Sequence, residues 1–346
     1  MSRHRIRKAI LVMLLLASLA ALAGYAWIRA PFRGFSGPSA TVEFPIGTST
    51  RAIFRQLERA GIVRNSALAE IYYRLFYRNE PLRAGEYAFS GPQPLDRVIL
   101  TIIWGEVVRH TVVVPEGLTN EESFSLFLQQ RVGSAQGFRR AASDAVKLLP
   151  WATPDTPDLE GFLFPDTYVA TRSTPTREIV TRMLENFERH FSPEMQKEAE
   201  ALGLSVRRVV TIASLVEKET SLRSERPHVA AVYLNRLRLG MRLQCDPTVI
   251  YALQKAGMWS GRLHRSDLEF DSPYNTYLNS GLPPGPICNP GVASLRAALE
   301  PMVSDDLYFV ARGDGGHYFS KTYADHLLMI DKSRANSAAA GEADSR

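Results

Sequence analysis

The sequence has few cysteines and histidines, and it lacks the short motifs of several enzyme classes. Its seven histidines show no H-E-x-x-H or other paired spacing, so metal catalysis is not predicted. Neither a G-x-S-x-G nucleophile motif nor a phosphate-binding P-loop is present. The two cysteines, Cys245 and Cys288, permit at most one disulfide within the chain, and a bridge and two free thiols remain equally open. No cofactor and no metal are expected.

Excess positive charge is also scarce outside the N-terminus. The chain carries 41 Lys and Arg against 36 Asp and Glu, a net charge of +5. Arg3, Arg5, Arg7 and Lys8 supply four of these charges, so the rest of the chain is nearly neutral. A nearly neutral body lacks the basic surface on which nucleic-acid binding depends. We therefore expect no nucleic-acid partner.

Charge is absent altogether from residues 9–28, "AILVMLLLASLAALAGYAWI". A helix of this length extends about 30 Å, at roughly 1.5 Å per residue, and so can cross the hydrocarbon core of a membrane. The basic residues before it, and Tyr25, Trp27 and Arg29 at its far end, predict a cytoplasmic tail (1–8), an anchor (9–29) and an exported body. A cleaved signal peptide is the alternative, because "ALAG" at 21–24 resembles a cleavage site. The uncharged run is longer than a typical signal core, which favours the retained anchor.

The rest of the chain is long enough for one large or two modest domains, since 45% of its 346 residues are hydrophobic. Residues 30–40 are rich in Gly, Pro and Ser and predict a linker. Strand-like and helical patterns alternate in 41–110 and predict a compact α/β unit. A more helical domain is expected at 111–332, followed by a disordered tail at 333–346. Within the larger domain we expect a capping box at Thr119 and Glu122, a strand-like segment at 160–170, an irregular loop at 272–291 and a hairpin in "DLYFVARGDGGHYFS".

The segment "IASLVEKETSL", residues 212–222, starts as an apolar helix and then places two glutamates around a lysine. At about 100° per residue, one face of this helix is apolar and consists of Val209, Ile212, Ala213, Leu215 and Val216. Glu219 falls on that face, whereas Glu217 lies roughly 160° away and Lys218 points outward. Since residues two apart on a helix do not act side by side, we expect Glu219 alone to face inward.

An inward-facing glutamate has the properties of a general acid. Burial disfavours the charged form of a carboxyl group, so its pKa rises and it holds a proton near neutral pH. A group that protonates a leaving oxygen, such as the oxygen of a glycosidic bond, needs such a proton. A structural role is the alternative: Glu219 then pairs with a buried arginine or caps a neighbouring helix, since structural ion pairs also perturb pKa values.

Aromatic, amide and hydroxyl side chains in other segments are typical of a site that binds sugars. The candidate substrate-binding residues are Tyr168, Glu217, Gln244, Asp246, Thr248, Tyr274, Asn275 and Thr276. Each also has a structural interpretation, with Asp246 as a helix N-cap, Asn275 in a turn and the aromatic residues in the core. His317, which follows "GDGG", is interpreted as a hairpin-edge histidine without a special role, in preference to a ligand or a base.

Five longer motifs occur together: "EGFLFPDTY", "IASLVEKET", "NRLRLGMRLQCDPTVIYAL", "SPYNTYLNSGLPPGPICNPG" and "LYFVARGDGGHYFS". From the anchor to about residue 332 the chain resembles the endolytic murein transglycosylases, the YceG-like family. The resemblance implies an α+β protein with an N-terminal transmembrane helix, a small LysM-like α/β subdomain at 41–110 and a mixed α+β catalytic domain at 111–332. It further implies a single-pass inner-membrane protein with its body in the periplasm and peptidoglycan glycan strands as substrate. Peptidoglycan synthases and elongation or division proteins are candidate partners.

The same resemblance makes Glu219, the second Glu of "EKET", the catalytic acid, in agreement with its place on the helix. The implied reaction is a lyase reaction between N-acetylmuramic acid and N-acetylglucosamine that terminates or trims nascent strands. Glu219 protonates the glycosidic oxygen, and its carboxylate then helps the C6 hydroxyl of muramic acid attack C1, which gives a 1,6-anhydro end. Because the nucleophile belongs to the substrate, no second carboxylate is needed. The two cysteines lie within family motifs where cysteine is not expected.

Two other functions remain to be distinguished from this one. A glycan hydrolase requires a second carboxylate, for which Asp246, Asp267 and Glu269 are candidates. A membrane-tethered scaffold that binds peptidoglycan without cutting it requires no catalytic residue. The chemical nature of the glycan ends after digestion separates all three functions.

Overall fold

The structure is a computed structural model that describes residues 3–147, 149 and 158–344. It contains two compact units. The smaller unit comprises Met1–His110 and Val169–Thr174, and the larger comprises Thr111–Tyr168 and Pro175–Arg346. The predicted α+β class is confirmed, because helices and three two-stranded sheets occur along one chain.

The smaller unit begins with the predicted apolar helix. Its elements are α1 (Arg3–Arg29), β1 (Ser39–Phe44), α2 (Thr50–Arg59), α3 (Ser66–Phe76), β2 (Gly85–Ser90) and α4 (Leu95–Trp104). By length and composition, Arg7–Arg29 of α1 is the one helical stretch in the described chain that is able to cross a membrane. Ser49 and Asn65 cap α2 and α3 by accepting backbone N–H groups, as short polar side chains do at helix starts. Strands β1 and β2 pair antiparallel, and their inward side chains form an apolar core together with side chains of α2, α3 and α4.

Residues 30–40, the predicted linker, are hydrogen-bonded to the smaller unit. Phe32 forms an isolated antiparallel bridge with Gln93, and the Gly34 N–H donates to the Gly61 carbonyl at 2.7 Å. The φ of Gly61 is +68°, and a Cβ at this position would lie 2.6 Å from the Gly34 backbone. Only glycine permits this close approach of the two chain segments.

The larger unit is mostly helical. The elements that follow α4 are β3 (His110–Val113), α5 (Asn120–Gln129), α6 (Ala135–Val146), β4 (Thr167–Ala170), α7 (Thr176–His190), α8 (Pro193–Ala201), α9 (Val206–Glu219), α10 (Arg226–Arg238), α11 (Asp246–Lys255), α12 (Val292–Leu299), β5 (Tyr308–Ala311), β6 (His317–Ser320) and α13 (Tyr323–Asp344). The capping box at Thr119 and Glu122, the irregular loop 272–291 and the β5–β6 hairpin are confirmed.

Helix α9, which carries the "EKE" sequence, is a central helix rather than an amphipathic one. Every residue from Val209 to Val216 is buried, and α8, α10, α11 and α12 pack around it. The prediction of a single apolar face was therefore too narrow. It missed that Thr211 and Ser214 are buried with their hydroxyls donated to the carbonyls of Arg207 (2.8 Å) and Thr211 (2.7 Å). Hydrogen bonds to the helix backbone remove the cost of burying these polar groups.

Three local predictions differ from the structure. Of the segment 160–170, only Thr167–Ala170 forms a strand, since the preceding residues lie in buried turns. Cys245, and not Asp246, is the N-cap of α11, and Asp246 is its first helical residue. Helix α13 continues into 333–344, for which the sequence predicts disorder; the alanine run at 338–340 has high helix propensity.

Candidate active site

Glu219 is the last residue of α9, and its carboxyl group is half-buried. Its Oε2 accepts a hydrogen bond from the Tyr233 hydroxyl at 2.9 Å and a longer one from the Cys245 thiol at 3.6 Å. Its Oε1 makes no hydrogen bond within the described residues. One oxygen of Glu219 is thus held by the protein, and the other is available to a substrate.

The surroundings of Glu219 favour the protonated carboxyl group. Burial raises the pKa of Glu219, and the nearby Asp246 carboxylate raises it further, while the hydrogen bonds from Tyr233 and Cys245 and the charge of His317 act in the opposite direction. The C-terminal end of a helix carries partial negative charge, which also disfavours a carboxylate at this position. Burial dominates, so the pKa of Glu219 is raised above the ordinary value for glutamic acid.

Four residues from other elements surround Glu219. Tyr233 projects from α10 and packs edge-on against Phe309 of β5, with ring centroids 5.9 Å apart. Asp246 Oδ1 accepts the hydroxyl of Tyr277 at 2.5 Å, which joins the start of α11 to the loop 272–291. We call the following group the Glu219 cluster: Glu219, Tyr233, Cys245, Asp246 and Tyr277. Its members come from four segments of the chain that are far apart in sequence.

Gln244, Thr248 and Thr276 are brought together next to this cluster. The Gln244 and Cys245 N–H groups donate to Thr276, through its carbonyl (3.2 Å) and its hydroxyl (3.0 Å). The Thr248 and Thr276 hydroxyls lie 3.0 Å apart and are buried, so both threonines hold the loop in place. Gln244 has a φ of +52°, in the left-handed region. Such a conformation costs about 1–3 kcal/mol for a residue other than glycine and is often found at functional sites.

Glu217 is buried as well, contrary to the expectation that Glu219 alone faces inward. Its Oε1 accepts from Arg226 at 2.7 Å, its Oε2 accepts the Gly291 N–H at 3.0 Å, and its side chain is 5% exposed. Helical spacing does not reveal this, because Arg226 on α10 supplies the charge that makes burial of Glu217 tolerable. The buried ion pair considered for Glu219 therefore belongs to its neighbour.

Three other candidates make structural contacts, and of these only the one between the Asn275 oxygen and the Tyr277 N–H reaches a member of the cluster. The Asn275 amide donates to the carbonyls of Leu268 and Phe270, and its oxygen accepts the Tyr277 N–H. The Tyr168 hydroxyl donates to the Phe164 carbonyl at 2.6 Å within the core.

Tyr274 packs on Tyr251, with the Lys255 ammonium 5.3 Å from its ring centroid. These contacts are on the side of α11 where Tyr251 approaches Glu160, and none of them involves a member of the Glu219 cluster. The roles of Tyr274, Asn275 and Tyr168 in substrate binding stay predictions.

The cysteines are free thiols, and both are buried. Cys245 belongs to the Glu219 cluster, whereas the Cys288 thiol donates to the Ser214 carbonyl of α9 at 3.4 Å. Burial raises the pKa of both thiols well above the usual value, so neither has the character of a reactive thiolate.

Sequence analysis missed Arg236, which positions Gln244 and Cys245. This buried guanidinium donates to the carbonyls of Leu307 (2.6 Å) and Leu243 (2.8 Å), and it joins the hairpin to the chain that leads into α11. A buried arginine that satisfies several carbonyls fixes loops that lack regular structure. Its signal in the sequence is weak, because "NRLRLG" contains two arginines and only the three-dimensional structure shows which one is buried.

A cavity separate from the Glu219 cluster lies beside Glu160. It has a volume of about 660 Å³ and borders α5, α6 and α11. Its charges are already satisfied: Arg139 pairs with Glu121, and Lys255 pairs with Asp158. Glu160 accepts the N–H of Asn120, the first residue of α5, and burial raises its pKa to about 8. We interpret Glu160 as the anchor of the α5 N-terminus, and the cavity does not include Glu219.

Groups that could hold a metal ion are not found in the described chain, in which no three His, Cys, Asp or Glu side chains converge. The chemistry that the Glu219 cluster offers is proton transfer by a carboxyl group whose Oε1 makes no hydrogen bond within the described residues. This chemistry is that of an acid catalyst acting on a leaving oxygen.

Comparison with known proteins assigns the chain to a family. The sequence model of the YceG-like family matches residues 42–332, and the chain belongs to that family. A crystal structure of a yceG-like protein from Listeria monocytogenes has the same fold, with a TM-score of 0.53 and 32% sequence identity. The match covers 85% of this chain and 100% of the Listeria chain.

Two relatives carry a functional name. The protein named endolytic murein transglycosylase in Bacillus subtilis (strain 168) is 32% identical, and the alignment covers 87% of each chain. A protein of the same name from Streptococcus pneumoniae serotype 2 strain D39 is 31% identical over 91% of this chain and 63% of the streptococcal protein. The chain therefore spans less than two thirds of that longer relative.

Proposed function

We propose that the protein is a membrane-anchored, endolytic lytic transglycosylase that cleaves the bond between N-acetylmuramic acid and N-acetylglucosamine in peptidoglycan. The names of its relatives support this activity and this substrate class. Within the chain, the observation that carries the proposal is the Glu219 carboxyl group, which has a raised pKa and one oxygen without a hydrogen bond from any described residue. Glu219 is the catalytic residue of this proposal.

In the proposed reaction, Glu219 donates its proton to the glycosidic oxygen as the bond to C1 breaks. The C6 hydroxyl of the muramic acid closes on C1, so a 1,6-anhydro ring forms without added water. The hydrogen bonds from Tyr233 and Cys245 to Oε2 stabilise the carboxylate that Glu219 becomes. Gln244 and Asp246 contribute to substrate binding, since both are exposed and lie beside Glu219.

The location and the smaller unit belong to the same proposal. We infer a single-pass protein of the inner membrane with its N-terminus in the cytoplasm and its body in the periplasm, because basic residues precede the apolar helix and Trp27 follows near its end. The smaller unit is proposed to be LysM-like and to contact glycan strands. Its β1–α2–α3–β2 order and its antiparallel strand pair support this assignment. Peptidoglycan synthases and elongation or division proteins remain candidate partners.

The test of the proposed function is the product formed from isolated glycan strands. We expect mass spectrometry to find internal cuts whose new muramic acid ends have the 1,6-anhydro form. Reducing ends, which are heavier by one water, would instead identify a hydrolase that uses a second carboxylate such as Asp246. Glycan that is bound but never shortened would identify a scaffold.

The pH dependence of cleavage is expected to shift in opposite directions in two variants. Tyr233 lowers the pKa of Glu219 by donating to its carboxylate, and Asp246 raises that pKa by its charge. Since the acid must be protonated, activity is present below the pKa of Glu219 and is lost as the pH rises through it. Tyr233→Phe should therefore move the alkaline limb of the rate profile to higher pH, and Asp246→Asn should move it to lower pH. Shifts in the same direction in both variants would contradict the assignment of that limb to Glu219.

A further inference from the structure

His317 and Glu225 form a buried pair beside the Glu219 cluster. The His317 ring nitrogen Nδ1 lies 2.8 Å from Glu225 Oε2, and the His317 backbone N–H donates to Glu225 Oε1 at 3.1 Å. The side chain of His317 is 9% exposed. Two hydrogen bonds from one residue to one carboxylate fix the orientation of the imidazole. This histidine is therefore not the ordinary hairpin-edge residue that the sequence favoured.

The geometry of the pair leaves one ring nitrogen for other chemistry. Because Nδ1 faces the Glu225 carboxylate, it carries the hydrogen of the neutral imidazole, and Nε2 then has a free lone pair. Nε2 makes no hydrogen bond within the described residues. It is also not one of the polar atoms of those residues that are fully buried without a hydrogen-bond partner. A carboxylate that holds one nitrogen of an imidazole makes the other nitrogen a stronger base.

One aromatic ring connects the pair to the proposed acid. The Phe309 ring packs edge-on against His317, with centroids 5.4 Å apart, and also against Tyr233. Tyr233 in turn donates to Glu219. His317 also lies close enough to Glu219 that a proton on its imidazole lowers the pKa of Glu219.

We propose that His317 is the second acid–base residue of the reaction, with Nε2 taking the proton of the muramic acid C6 hydroxyl and Glu225 positioning the ring. This inference rests on the proposed transglycosylase function. The bond between C1 and the leaving oxygen breaks, and that oxygen takes the proton of Glu219. The bond between O6 and C1 forms, and the O6 proton passes to Nε2. The imidazolium then returns a proton to the Glu219 carboxylate through water, so no other reactant is consumed.

Two separate groups suit this reaction because one proton must be donated, by Glu219, while another is accepted, by His317. The environment of Glu219 favours its protonated form, so Glu219 carries the proton that the leaving oxygen needs. While it holds that proton, it cannot also accept the proton of the C6 hydroxyl. An imidazole held by a carboxylate accepts a proton readily near neutral pH. With separate groups, protonation of the leaving oxygen and deprotonation of the nucleophile occur in one step.

The groups that influence the protonation of His317 come from several segments. Glu225 faces it from the residue before α10, and Glu219 from the end of α9. Arg312 and Asp314, which pair with each other, lie in the turn of the same hairpin. Tyr233 lies on the other side of the Phe309 ring from His317.

The test compares His317→Gln with the wild-type protein by the rate of anhydro-end formation as a function of pH. A required base must be unprotonated, so the wild-type rate should fall on the acid side. His317→Gln should reduce kcat about 10²-fold, the lower end of the range for a positioned acid or base, and remove that acid-side fall while the alkaline limb remains. A structural role lowers the rate equally at all pH values and leaves both limbs in place, and that result would overturn the proposal.

His228→Gln is the matched control. His228 Nε2 lies 2.8 Å from Asp306 Oδ2, so this variant also removes a half-buried histidine–carboxylate pair from the larger unit. His228 stacks on Phe319, whose ring centroid is 6.2 Å from that of His317, but within the described residues it makes no hydrogen bond or ion pair with the Glu219 cluster. We expect it to keep both limbs of the profile, and loss of its acid-side limb would overturn the assignment to His317.

Nitrogen-15 NMR of the wild-type protein gives an answer that requires no folded variant. We expect Nε2 of His317 to be unprotonated and Nδ1 protonated in the pH range of activity. An imidazole protonated at both nitrogens throughout that range would reject the base. If the wild type forms no anhydro ends, the proposed function fails. If it does form them and His317→Gln matches it in rate and pH profile, only this inference fails.

Discussion

Glu219→Gln is expected to lower the rate of glycan cleavage by about 10²–10⁴-fold, the range that a positioned general acid contributes. Glutamine has nearly the same size, and its carbonyl oxygen accepts the Tyr233 hydroxyl as Oε2 does now. It has no proton of suitable acidity for the leaving oxygen. The fold should therefore remain while the chemistry stops. The measurement is the initial rate of anhydro-end formation on isolated glycan strands.

Two controls make this result interpretable. Glu188→Gln changes an exposed glutamate of α7 in the same unit and should leave the rate unchanged. Thermal unfolding of Glu219→Gln should occur at or above the wild-type temperature, because a carboxyl group with a raised pKa is disfavoured in the folded state once it ionises. Undiminished cleavage by Glu219→Gln would show that another residue is the acid.

The position of Glu219 was accessible to sequence reasoning because it depends on local periodicity. Glu219 lies in line with Ile212 and Leu215 on a helix that the pattern identifies, and in the structure that helix is Val206–Glu219. The capping box at Thr119 and the hairpin at 308–320 were predictable for the same reason. Each is specified by residues a few positions apart.

Contacts between distant parts of the chain were not accessible in this way. Glu217 is buried because Arg226 and the Gly291 N–H reach it from 9 and 74 residues away. Asn275 matched the composition of a sugar site, yet its amide donates to the backbone carbonyls of Leu268 and Phe270, just before its loop. His317 received no role, because its partner Glu225 lies 92 residues earlier in the chain. Residue type predicts which chemistry is available, whereas tertiary packing decides which residue uses it.

The Glu217–Arg226 pair leads to the largest expected effect on stability. Both side chains are 5% exposed, and they are joined at 2.7 Å. Arg226→Leu removes the cation and leaves the Glu217 carboxylate with the Gly291 N–H alone. Breaking a buried ion pair from one side costs about 3–5 kcal/mol, because the remaining charge is uncompensated. We expect urea unfolding to show a loss of that size.

A second substitution separates the cost of the stranded charge from the cost of lost packing. Glu217→Gln combined with Arg226→Leu removes both charges and retains an oxygen that accepts the Gly291 N–H. We expect the double variant to be more stable than Arg226→Leu alone, because no buried charge remains. Arg238→Leu, at an exposed position on the same helix, should change stability by less than about 0.5 kcal/mol. If the double variant is no more stable than Arg226→Leu, the loss of stability comes from packing around Arg226. In that case the buried charge of Glu217 is not the reason that α10, which also carries Tyr233, needs an arginine at position 226.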